Sequence, residues 1–195
     1  VVITGATNFG QGAGGTLSAI NGGVVQIIGS AVVIGGTLAT ASGGQFTTAS
    51  GETATIANLA STGTFNVVNN STLRLQGTVA NTGALNMNSL GNTTNLRIVG
   101  PATLGGSGTT TLSDTPANQI VADAPGAQLT VGTGQTIQGA GQIGAGGVLA
   151  LVNQGTITAN QSNALTVAMS GSVQNAVGGL MQATTGMLVL NSVLA

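Results

Sequence analysis

At 195 residues, with 42% hydrophobic content and a mean hydropathy of +0.45, the chain is long and apolar enough to bury a core, which excludes a disordered tail. Charged residues make up 3% of it, against roughly 25% in ordinary globular domains, and the net charge is −1, so nothing in the balance grips a nucleic-acid backbone or inserts into an anionic bilayer. Cysteine is absent, which removes disulfide frameworks and thiolate metal sites from consideration.

The opening "VVITGATNFG" lacks the basic start and small-residue cleavage site of a secretory signal, so a processed product or an excised segment is expected. The most apolar stretch, Val24 to Ile34, is broken by Gln26, Gly29 and Ser30. It is too short for a membrane helix of ~20 residues and too rich in β-branched residues for anything but strands. Through residues 1–60 the inward positions read Leu17, Val25, Ile34, Leu38, Phe46 and Ile56, about two rungs' worth, with an awkward four-residue step from Ile34 to Leu38.

From residue 61 the chain repeats. "STGTFNVVNNSTLRLQG" (61–77), "NTGALNMNSLGNTTNLRIVG" (81–100) and "NQGTITANQSNALTVAMSG" (153–171) share one order: a small or amide residue, Gly, strand, Asn-rich turn, strand, Gly. A degraded copy follows at 176–192. The alternation within each strand has period two, and no helical period competes. Taking every third strand centre gives Leu73, Leu96, Ile120, Ile143, Leu165 and Leu188, separated by 23, 24, 23, 22 and 23 residues. The other two series, Phe65, Leu85 and Leu112 in one and Val79, Leu104, Leu129 and Leu149 in the other, are less even because corner loops differ in length.

That return predicts an all-β fold: a right-handed parallel β-helix, or β-solenoid, with three short strands per rung, about 23 residues per rung and about eight rungs. Residues 1–195 form a single domain on this reading, less regular over 1–60 and clearly repeated over 61–195. In "NQGTITANQSNALTV", Ile157, Ala159, Leu165 and Val167 should point inward and Thr158 and Thr166 outward, while Gly155 should turn a corner at positive φ. Asn suits the turns because it tolerates left-handed backbone and pairs its amide with the next rung. An antiparallel sandwich also spaces short strands regularly, but its hairpins do not require a constant return.

The phrasing N-x-G-T-I-x-A followed by A-L-T-V at 153–167, with its relatives at 61–77 and 81–100, resembles β-helical repeats of bacterial surface exoproteins, namely filamentous-haemagglutinin-like adhesins and autotransporter passenger domains. The resemblance implies a secreted, cell-surface repeat protein of extracellular, fibrous and adhesive or structural use. It carries no functional residue across, because those families share no catalytic motif.

The residue inventory argues against an enzyme, since His, Cys, Lys and Tyr are all missing. Glu52, Asp114 and Asp123 are thin for a calcium cage, so no metal or cofactor is expected, and the two aspartates, each two residues before a proline, read as turn formers. Arg74 in "TLRLQG" and Arg97 in "NLRIVG" are one rung apart in the outward slot. Neighbouring guanidinium groups there would hold a sulfate, phosphate or acidic sugar bidentately; the plainer reading is that they splay into solvent or pair with Glu52 or a chain neighbour. The expected function is a non-catalytic extracellular fibre segment, continuing in a longer chain or stacking head to tail through terminal rungs, with a surface glycan or protein receptor as partner. The alternatives are a polysaccharide-binding or polysaccharide-degrading β-helix and, as a lesser reading, an ice-binding ladder of Thr109 to Thr111, Thr158 and Thr166.

Overall fold

The computed structural model describes residues 1–5, 8–146 and 148–191. Every strand pairing in it is parallel, and the chain coils as a β-solenoid of about eight turns with about 23 residues in each. Among the described residues, one face is a nine-stranded sheet running from Val2–Ile3 through Thr64–Val68 and Thr109–Leu112 to Leu180–Ala183. The second and third faces belong to one 14-stranded sheet. They are continuous because the strands Thr53–Ser61, Thr72–Asn81 and Thr94–Gly105 run around the bend between them.

That bend is made by single residues. Asn58, Gly77 and Gly100 adopt φ of 49°, 63° and 61°, a left-handed kink that turns the strand from the second face onto the third and interrupts the register between Gln76 and Gly77. One rung earlier the same bend is built by Gly35 and Gly36, both at positive φ; a Cβ on Gly36 would lie 2.5 Å from the Gly15 carbonyl oxygen. The awkward step from Ile34 to Leu38 is thereby explained: Val33, fully buried, is the inward residue, and Ile34 is only half-buried beside the two-glycine corner.

The interior is a stack of aliphatic columns. Leu73 pairs with Leu96, Leu96 with Ile120 and Ile120 with Ile143, all fully buried, as the sequence period required. The next member differs: Ile143 lies opposite Val167, while Leu165 lies opposite Gly141 and then pairs with Leu188. Two other expected neighbours also shift. Leu85 faces Thr110 rather than Leu112, and Leu104 faces Val131 rather than Leu129. Leu149 is buried in a corner, and its expected place in a strand is taken by Leu151. Phe46 and Phe65 stack inside the solenoid with ring centroids 6.3 Å apart and planes 15° from parallel. Each such buried side chain contributes about 1.5–3 kcal/mol relative to exposure.

The glycine before each first-face strand is required by crowding rather than by φ. A Cβ on Gly83 would sit 2.1 Å from the Gly63 oxygen, one on Gly108 2.5 Å from the Gly83 oxygen, and one on Gly155 2.3 Å from the Gln135 oxygen. Gly155 does not adopt the positive φ expected of it; the corners simply rest on one another. Between Gly108 and Gly155 one rung lacks that glycine, and Gln135 stands in the place and turns its fully buried amide inward. Oriented to satisfy both ends, that amide donates to the carbonyls of Gly105 and Asn81 and accepts from the Thr110 hydroxyl.

Candidate functional site

The alternation in Thr72–Asn81 and Thr94–Gly105 buries Leu73, Leu75, Leu96 and Ile98 completely, which forces Arg74 and Arg97 outward on the second face. They are directly opposite in the register, so their stems leave neighbouring rungs ~4.8 Å apart. Like charges at that spacing repel unless something lies between them. Asp123 does. It begins the loop at 123–127, which replaces the one-residue kink of the rungs below.

From there its Oδ1 accepts a hydrogen bond from Arg74 Nε at 3.0 Å, spanning 49 residues and therefore two rungs, and lies 3.9 Å from an Arg97 terminal nitrogen. The expected partner Glu52 is engaged elsewhere, accepting from the Gly29 backbone N–H at 2.9 Å. Arg74 and Arg97 are about two-fifths exposed and Asp123 less than one-fifth, so the ion pair is partly screened and is worth ~0.2–1 kcal/mol.

The cluster holds two positive charges and one negative, leaving one positive charge uncompensated. Among the described residues, Asp123 is the sole side chain that hydrogen-bonds to either guanidinium, and it takes one donor of Arg74. At 3.9 Å the Arg97 fork is attracted to that carboxylate without being closed by it. Two positions earlier in each strand the outward column reads Thr53, Thr72, Asn95, Gln119, Gln142 and Thr166, a neutral strip of hydroxyls and amides beside the arginines.

The other carboxylates clamp corners. Asp114 Oδ1 accepts from the Asn163 backbone N–H at 2.8 Å and from its side-chain amide at 3.1 Å, again spanning two rungs. The rung between them turns on Gly139 and Gly141, at φ of 124° and 135°, so tightly that the two longer loops meet across it. The Asn163 backbone N–H holds the Asp114 carboxyl below its ordinary range against an opposing desolvation, and the Asn163 amide and Ser162 add to the lowering. All three acids thus tie one rung to another, Glu52 and Asp114 on the edge between the first and second faces and Asp123 on the edge between the second and third, whereas the sequence read the two aspartates as turn formers and offered Glu52 as an arginine partner.

Among the described residues, the first face carries no charged side chain in its outward columns. One runs Thr64, Ala84, Thr109, Thr136 and Thr156; the other runs Asn66, Asn86, Thr111, Gln138, Thr158 and Gln182. Amides bridge its rungs, Asn86 to Asn66 at 3.0 Å and Asn66 to Gln45 at 2.6 Å. The threonines proposed as one ladder separate here: Thr110 is fully buried, Thr166 lies on the second face, and the Thr158 hydroxyl accepts from Gln182 at 3.2 Å.

Among the described residues no three of His, Cys, Asp and Glu gather, and no helix is long and apolar enough to cross a membrane. No protein-family model matches the chain, and no curated protein or solved structure matches it significantly.

Proposed function

We propose that the chain is a non-catalytic structural or adhesive rod segment of an extracellular or bacterial cell-surface protein. The observation that carries this reading is how the polar groups are used: Glu52, Asp114 and Asp123 each bond to a group one or two rungs away, and the first face bridges rungs with amides. A glycosidase needs two carboxyl groups flanking one bond. Here each acid serves a separate corner.

A solenoid lengthens by adding rungs without enlarging its core, which suits a spacer. The resemblance of the 153–167 phrasing to bacterial exoprotein repeats points the same way. Val2, Phe9, Ile20 and Val24 are exposed on the first rungs, and Leu180, Met187 and Leu190 on the last. Such ends are covered in use by further rungs or by another copy.

Small-angle scattering of the isolated chain over a range of concentrations tests the rod. The expected outcome is a cross-section that stays constant while length grows in steps of one whole chain, about eight rungs or ~38 Å. A spherical particle of constant size at every concentration would overturn the reading of end-to-end use.

A further inference from the structure

We infer that Arg74 and Arg97, with the neutral strip Asn95, Gln119 and Gln142 beside them, form a subsite for a carboxylate-bearing polysaccharide lying along the solenoid axis. The inference rests on the adhesive reading above and names what adheres. Three observations meet at this place. The chain has two cationic side chains in all, and the register puts them on adjacent rungs of one face. One carboxylate serves both, so a positive charge remains and the Arg97 fork stays unclosed. The neighbouring outward column offers hydroxyl and amide groups, which hydrogen-bond neutral sugar hydroxyls without demanding charge.

The geometry selects a polymer. Rungs repeat every ~4.8 Å, close to the length of one pyranose unit, so a uronic-acid chain running across the rungs offers its hydroxyls to successive amides as its carboxylate meets the guanidinium edge. A guanidinium takes a carboxylate in a planar fork, which an ammonium does not. Asp123 occupies part of the same space with the same chemistry. It acts as an internal competitor, so the site is weak for a single sugar and gains strength through repetition along a polymer.

The test uses the whole 195-residue chain with oligogalacturonate as the carboxylate probe, a sulfated heparin oligosaccharide, inorganic sulfate, and neutral cello-oligosaccharide as the blank. Binding is read by calorimetry at low and at high salt. Oligogalacturonate is expected to bind with strong salt dependence and the neutral oligosaccharide not to bind. R97Q should weaken binding by about tenfold or more, the scale of one lost charge-assisted fork.

R97K, which keeps the charge, should recover part of that loss. D123N, which removes the competitor, should tighten binding severalfold. Heparin or sulfate bound more tightly than oligogalacturonate would overturn the carboxylate assignment. R97Q binding as well as the native chain, or the native chain and D123N both failing to retain oligogalacturonate, would overturn the subsite. None of these results alters the scattering profile, so failure here is distinguishable from failure of the rod reading.

Discussion

Replacing Gly83 by Ala tests the corner stack most sharply, because the same substitution at Gly105 should have the opposite sign. Neither glycine adopts a left-handed φ, so alanine is conformationally acceptable at both and restricts the unfolded chain by about 0.4–1 kcal/mol. At Gly105 the nearest atom to the new Cβ is 3.9 Å away, and that gain should survive. At Gly83 the new Cβ lies 2.1 Å from the Gly63 oxygen, and the corners must part until the contact reaches the ordinary range near 3.4 Å. The hydrogen bonds from Ala84 to Gly63 and from Thr109 to Gly83, both 3.0 Å, cannot follow such a movement.

Losing them costs ~1 kcal/mol each and the residual strain ~1–3 kcal/mol. After the entropic offset, G83A should be destabilised by about 2–4 kcal/mol, while G105A should be unchanged or slightly more stable. Equilibrium urea unfolding followed by circular dichroism reads both as midpoint shifts at constant slope. A G83A midpoint equal to or above that of G105A would refute the argument from close backbone approach.

Other outcomes follow from single contacts. L96A empties the centre of the Leu73, Leu96, Ile120 column and should cost ~2–5 kcal/mol, whereas L90A, at a side chain 88% exposed, should stay within ~0.5 kcal/mol in the same urea titration. Asp114 has its folded pKa lowered, so its contribution is complete above the unfolded value near ~3.9 and vanishes as pH falls through the depressed folded value. D114N should therefore be less stable than the native chain at neutral pH and converge with it in strong acid, giving a flatter acid limb. Parallel acid limbs would exclude the Asn163 clamp. Trypsin has only Arg74 and Arg97 to attack, both within paired strands, and should leave the folded chain intact on a gel; cleavage at native stability would show that those strands open.

The rung period was legible because inward aliphatics stack on like residues, and one face keeps corners of nearly constant length. Which of two inward residues meets a given partner was not legible. Leu165 and Val167 both point inward, as do Leu129 and Val131, so period two leaves a two-residue ambiguity that corner geometry resolves. Gly141 shows how: after the tight corner it offers no side chain opposite Leu165, and Val167 takes the place across from Ile143. Thr110 was hidden for another reason, since a buried hydroxyl reads as surface until Gln135 is seen bonding to it.

At the arginines, the 23-residue spacing gave their adjacency outright. Asp123 was the missing partner because it lies 49 residues from Arg74, and a contact across two rungs depends on a longer loop folding back over shorter neighbours. The fate of Glu52 and Asp114 was hidden likewise in loop lengths, which repeat patterns do not encode.

Parallel in-register coiling is most directly tested by distances along one outward column, and the absence of native cysteine makes the labelling simple. Spin labels on cysteines replacing Thr53 and, in turn, Gln142, Thr166 or Val189 lie four, five and six rungs apart. Pulsed dipolar spectroscopy should return separations near 19, 24 and 29 Å, rising by ~4.8 Å at each step. Distances that fail to increase along this series, or that alternate between short and long, would contradict a solenoid.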